Sequence, residues 1–248
     1  MLTITVLVLY AFAINLLLWR AGFHSSKVAL GVAKTEKPSR ILIIGATGGT
    51  GRILVHEALE RGYTVTAFVR DPSKLAVEHP KLKIIRGDVL DRESVAAAVR
   101  GHDAVISALG HKRFFYPTRI LSDGTRNILS AMETHKVRRF VCETALGTGN
   151  TVGRLGLLYD LFVIPLVLPF YFYDKTRQEK LIAASETDWV IVRPGILTNS
   201  AKRGSFRHGF DVGSFFRSVR ISRADVADFM IDQLESDTYL GTAPGVSW

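Results

Sequence analysis

The sequence predicts one α/β domain built on a doubly wound parallel sheet and preceded by an N-terminal apolar helix. Three observations predict it. Short Val/Ile/Leu-rich runs alternate with helical patterns from residue 40 onward, a glycine turn (GATGGTG, 45–51) separates the first run from the first helix, and 248 residues at 47% hydrophobic content suffice for one large core. Near-continuous apolar runs separated by helices imply strands covered on both faces.

The elements follow in order. ILIIG (41–45) reads as the first strand, with a helix through Leu59; TVTAFVR (64–70) as the second, with a short helix near Lys74. LKIIRGDV (82–89) leads into DRESVAAAVR (91–100), and AVISALG (104–110) into a helix from Ser122 to about His135. RRFVCETA (138–145) and WVIVRPG (189–195), the latter after a helix ending near Ser185, complete the strands. Asp91, with Ser94 three positions on, and Ser122 with Asp123 suit side-chain capping of free amides. This assigns 39–248 to the α/β domain, 21–38 to a linker and 1–20 to a separate apolar segment.

That segment, MLTITVLVLYAFAINLLLWRAGF, opens with 18 uncharged residues. As a helix they would reach about 27 Å, close to the thickness of a bilayer core. No cationic stretch precedes them and no small-residue cleavage site follows, so the reading is an uncleaved transmembrane anchor. Arg20, Lys27, Lys34, Lys37 and Arg40 lie on its C-terminal side, which places the domain in the cytoplasm. A helix packed on the protein itself is the alternative, and Asn15 favours it.

Formal net charge is +9. No zinc-finger spacing, RNA-recognition signature or basic heptad run accompanies it, so nucleic acid is not an expected partner. The single cysteine, Cys142, excludes an internal disulfide and any CxxC metal or redox site, and its apolar neighbours suit a buried thiol. No metal site is expected.

The glycine turn carries the chemistry. Gly45, Gly48 and Gly51 give a GxxGxxG arrangement between strand and helix: glycine permits the tight turn, close approach of a pyrophosphate and close helix packing, and the helix start supplies free amides. Thr47, Gly49, Thr50 and Arg52 belong to the same turn. Arg70, at the end of the second strand, stands where an acidic residue would hold the ribose hydroxyls of NAD and a basic one suits the 2′-phosphate of NADP. Asp71 beside it blurs that choice, and NADP is favoured over NAD. Asp88, with Val89, follows the third strand and either reaches the adenine or makes a turn before the helix.

Several motifs in order, GATGGTG (45–51), VRDPSKL (69–75), GDVLD (87–91), VISALG (105–110), SDGTRNILSAM (122–132), DWVIVRPGILTN (188–199) and SRADVADFM (222–230), resemble the atypical short-chain dehydrogenase/reductases. The similarity is to the NmrA-like and flavin reductase/biliverdin reductase B-like NAD(P)-binding group, and it spans about residues 40–246. It implies a Rossmann fold with Ser107, Ala108, Leu109 and Gly110 near the cofactor and Pro194, Gly195 and Ile196 near its carboxamide. In YFYDK, Tyr171 and Lys175 match the YxxxK pair of such reductases. Residues four apart share a helix face, so a lysine can hold the nicotinamide ribose and ease proton loss from the phenol while the tyrosine passes a proton to a carbonyl oxygen. The usual serine is missing, and Thr144 would have to stand in for it.

The implied function is hydride transfer, with NADPH favoured, to a small apolar carbonyl, quinone or flavin-like acceptor. A non-catalytic NADP(H) sensor or assembly protein is the alternative. The apolar stretch 157–173, interrupted by Pro165 and Pro169, reads as a lining for a planar or apolar substrate, with membrane contact or a homodimer face as other uses.

Overall fold

The computed structural model describes residues 2–26 and 37–248. The chain starts with helix α1 (Leu2–Ala21) and then builds β1 (Arg40–Ile44), α2 (Gly49–Glu60), β2 (Thr64–Val69), β3 (Leu82–Arg86), α3 (Arg92–Val99), β4 (Ala104–Ser107), α4 (Ile120–Thr134) and β5 (Arg139–Glu143). A π-helical segment over Tyr159–Val167 precedes α5 (Pro169–Ala183), and β6 (Asp188–Pro194), β7 (Ile196–Thr198), β8 (Arg207–Gly209), β9 (Arg220–Ser222), α6 (Arg223–Asp232) and β10 (Gly245–Ser247) complete the fold.

The main sheet runs β3, β2, β1, β4, β5, β6, β10, β8, and every pairing is parallel except β10 with β8. Strand order reverses between β1 and β4, the switch point where this architecture opens a crevice at the strands' carboxyl ends. The two faces are sorted by the period-two alternation of side chains: Ile41 and Ile43 pack into one buried layer with Leu54, Val55 and Met230, and Leu42 and Ile44 into the other with Val95, Ile128 and Met132. This is the both-faces-covered parallel sheet expected from the apolar runs.

Asp91 caps α3 as expected, accepting from the amides of Glu93 and Ser94. The start of α4 differs from expectation. It begins at Ile120, and neither Ser122 nor Asp123 caps it; the Asp174 carboxylate, from α5, accepts the amides of Leu121 and Ser122 (2.9 and 3.2 Å) and the Ser122 hydroxyl (2.5 Å). A cap donated by another helix has no local signature.

Helix α1 lies against the π-helical segment. Ala11 and Leu18 are buried, and Asn15 Nδ2 donates to the Asp160 carbonyl at 2.6 Å. Leu18 joins a small core with Leu146, Leu155, Ile164 and Phe172. Among the described residues no helix is long and apolar enough to cross a membrane. The transmembrane anchor expected at 1–20 is corrected accordingly, and with it the membrane-anchored placement; the helix packs on its own chain. Lys27, Lys34 and most of the expected linker lie outside the described residues.

Below α1, Asp160 is buried and accepts from the Leu155 amide, and burial raises its pKa from an ordinary 3.8 to about 6. An acid harder to ionise in the folded than in the unfolded chain weakens the fold as it ionises, so stability should fall as pH rises from about 4 to above 6. Thermal unfolding of the wild type and Asp160→Asn at pH 5 and pH 7.5 checks this: the wild type should lose ground to the variant at the higher pH. An equal gap at both values would refute it.

Candidate cofactor and catalytic site

The glycine turn sits at the carboxyl end of β1, beside the switch point. Gly45 has φ +82°, a left-handed conformation that favours glycine, and a Cβ there would lie 2.5 Å from the Ala108 carbonyl. A Cβ on Gly51 would lie 2.1 Å from the Gly45 carbonyl. The turn is closed by Gly48 N–H donating to Gly45 O (2.9 Å), and Gly48 gives α2 no side-chain cap. The first amides of α2, over Gly49, Thr50 and Gly51, therefore have no intrahelical acceptor and face an anion-binding position.

Around the turn, the predicted residues fall into two groups. Thr50 Oγ1 donates to the buried Glu143 carboxylate at 3.1 Å, linking the turn to the end of β5. Ser107 Oγ is buried with only the weakly polar Cys142 thiol beside it, and the Ala108 amide is spent on Ile44 O. Burial raises the Cys142 thiol to about 12, an inert group as expected. The Tyr171 hydroxyl lies over Gly110, 3.8 Å from where its Cβ would be. Leu109 and Val89 pack against Gly124. Ser107, Leu109 and Gly110 thus lie at or just beyond the carboxyl end of β4, beside the switch point.

Pro194 ends β6, Gly195 links it to β7 and Ile196 opens β7, and the amides of Gly195 and Ile196 are already bonded to Val246 O and Val219 O. Asp88 Oδ1 accepts from the Leu90 amide, the turn-making role that its position also allowed. At the end of β2, Asp71 accepts from the amide and hydroxyl of Ser73 and pairs with Lys74 (3.2 Å). The acid is thus held in its own turn, while Arg70 is exposed. Arg52 donates to Lys74 O at 3.1 Å and lines, with His56 and Lys74, a cavity of about 220 Å³.

Tyr171 and Lys175 share one face of α5. Lys175 is 3% exposed, and its ammonium lies 5.3 Å from the centre of the Tyr171 ring and makes one long bond, 3.4 Å, to Glu143 O. Burial lowers its pKa, but Tyr171, Cys142, Glu143 and Glu179 outweigh burial and the net shift is upward, so the amine stays charged. Burial pushes the Glu143 carboxyl up against the opposing pull of Lys175, Thr50 and Arg223. His111 packs edge-on to Tyr171 at 5.0 Å with Phe114 beside them, forming an aromatic roof. The π-helical segment seats the start of this helix, and Phe172 is buried under it.

Thr144 turns to a different set of partners. Its hydroxyl donates to Glu179 Oε1 at 2.7 Å, inside a buried cluster in which Glu179 also accepts from Thr148 (2.9 Å) and from Arg193 Nε (3.0 Å) and Nη2 (2.7 Å). Arg193 is a lone charge in an apolar run, WVIVRP, while Asp174 and Glu179 lie in the polar stretch DKTRQEK, where nothing in the sequence marks them as buried.

A cofactor fits the residues present. The uncapped glycine turn and the Lys175 ammonium, with one long bond for three donors, leave donors that a phosphate and a ribose would engage.

The sequence profile of the NAD(P)H-binding family matches residues 45–237. An uncharacterised chloroplastic protein of Arabidopsis thaliana is 34% identical over 198 residues, which cover 74% of this chain and 69% of the relative. A 3-beta-hydroxysteroid dehydrogenase of Mycolicibacterium neoaurum is 39% identical over 113 residues, 41% of this chain and 31% of that enzyme, so the match spans about a third of the enzyme's length. A solved short-chain dehydrogenase/reductase of Veillonella parvula in complex with NADP superposes with a TM-score of 0.72 over 85% of this chain and 95% of that one; at 17% identity it shows the shared fold.

Proposed function

Because the chain belongs to the NAD(P)H-binding family of oxidoreductases, we propose that it reduces a small apolar carbonyl, quinone or flavin-like acceptor with NADPH. One observation carries this reading: a charged lysine, buried beneath a tyrosine ring, with a single long hydrogen bond. Such an ammonium is costly to bury and gains by meeting the hydroxyls of a ribose.

When bound, the reduced nicotinamide supplies a hydride. Lys175 holds the ribose and balances negative charge on the Tyr171 oxygen as that hydroxyl gives its proton to the acceptor. The roof of Tyr171, His111 and Phe114 excludes water and favours a flat, apolar acceptor. Arg52, Arg70 and Lys74 at the end of β2, with Asp71 withdrawn into its turn, support a 2′-phosphate and hence NADPH.

Steady-state NADPH oxidation with a panel of quinones, aldehydes and flavins tests the assignment. Tyr171→Phe should bind NADPH as the wild type does and turn over at least about 100-fold more slowly. Lys175→Ala should weaken NADPH binding as well. Unchanged turnover in Tyr171→Phe would remove the proton-donor role.

One observation favours a second reading. The Thr144 hydroxyl, the stand-in for the serine of such reductases, is spent on Glu179. A protein that binds NADPH without turning over any acceptor would be a dinucleotide sensor, and that outcome of the same panel selects it.

A further inference from the structure

The glycine turn has a neighbour outside its own motif. Ser222, at the end of β9, caps α6: its Oγ accepts the Asp225 amide (3.0 Å) and donates to Asp225 Oδ2 (2.7 Å). The Asp225 carboxylate also accepts the amides of Arg203 and Gly204 and the Trp248 indole. The first turn of α6 is therefore held from several directions, and Arg223, its first residue, leans across the start of α2. A Cβ on Gly49 would lie 2.5 Å from Arg223 Nε and 3.4 Å from Cζ. A side chain at Gly49 would displace the Arg223 guanidinium from this position.

Arg223 donates to Asn199 Oδ1 at 2.6 Å, just after β7. That uses one of the five guanidinium N–H donors, and among the described residues no carboxylate lies within ion-pair distance of it. Its position is electrostatically unfavourable twice over. A cation in the first turn of α6 opposes that helix's dipole, and the same guanidinium stands against the positive end of α2. An anion between them would reverse both terms. Glu143, which accepts from Thr50 on the same turn, already feels the Arg223 charge.

We infer that Arg223 is a ligand for the pyrophosphate of the dinucleotide, reaching the glycine turn from the adjacent helix α6, with Asn199 as its positioning residue. A planar guanidinium donates two parallel hydrogen bonds to phosphate oxygens, which the backbone amides of the turn complement. The inference rests on the reading of this cleft as a dinucleotide site.

Binding of three ligands to the full chain, by calorimetry, tests it: NADPH, ADP-ribose (which keeps the pyrophosphate) and 2′-AMP (which lacks it). Arg223→Gln should weaken NADPH and ADP-ribose by about tenfold or more and leave 2′-AMP unchanged. Arg223→Lys should recover part of the loss, and its salt dependence should exceed that of the glutamine variant. Asn199→Ala should weaken NADPH in the wild-type background and add nothing in Arg223→Gln, as expected of residues acting as one unit. Wild-type protein that binds neither dinucleotide nor ADP-ribose overturns the reading of the cleft. Wild-type protein that binds them while Arg223→Gln binds equally well, or loses 2′-AMP in parallel, overturns the role of Arg223.

Discussion

Arg193→Met is expected to lower the free energy of unfolding by about 3–5 kcal/mol, the cost of leaving a buried charge without its partner. Arg193 and Glu179 are both fully buried, and they meet through two bonds, Nε to Oε1 and Nη2 to Oε2. The remaining donors of Arg193 reach Asn150 Oδ1 (2.6 Å) and Phe23 O (3.1 Å). With the guanidinium gone, Glu179 keeps only the hydroxyls of Thr144 and Thr148, too little for a carboxylate in the interior. Chemical denaturation reads the effect. Replacing both partners, Arg193→Met with Glu179→Met, should restore most of the loss, because the penalty belongs to the unpaired charge. A single variant within about 1 kcal/mol of the wild type would show that water reaches the pair.

Gly51→Ala is expected to weaken NADPH binding by at least about 100-fold, a larger effect on the site than any single side-chain deletion there. The added Cβ would sit 2.1 Å from Gly45 O and 2.9 Å from Ala46 Cα, both backbone atoms that cannot rotate away. Relief requires the turn to open, which moves the amides away from the phosphates; overpacking of this kind also costs about 1–3 kcal/mol of stability. Gly62→Ala is the matched control. Gly62 has φ +87° with open space around it, so alanine there should cost stability and leave binding intact. Comparable losses of binding in the two variants would detach the effect from the turn.

The parallel sheet was legible because β1, β2, β4, β5 and β6 are apolar enough to show their burial on both faces, with the half-exposed β3 at the edge. β7, β8, β9 and β10 are three residues each, with no periodicity to read. The glycine turn was legible from spacing, since Gly45, Gly48 and Gly51 are placed by backbone sterics, and Tyr171 with Lys175 from helix geometry. Thr144 reads as a stand-in for serine only until Glu179, 35 residues on, is folded against it. Arg223 reaches Gly49 through tertiary packing alone. The N-terminal run has the composition of a membrane helix, and its docking turns on Asn15 meeting a carbonyl 145 residues away.

The bond from Arg193 to Phe23 O has a practical side. Phe23 also packs edge-on against Trp189 at 5.7 Å, and Ser25 Oγ accepts the Ala243 amide at 2.8 Å. Residues 22–26 are thus a strap bonded to the core at Phe23 and Ser25, and a shortened version beginning at residue 39 would remove it. Such a version would leave a guanidinium donor in the core with nothing to hold and bare one face of Trp189. Measurements of fold or cofactor affinity belong on a chain that keeps the strap.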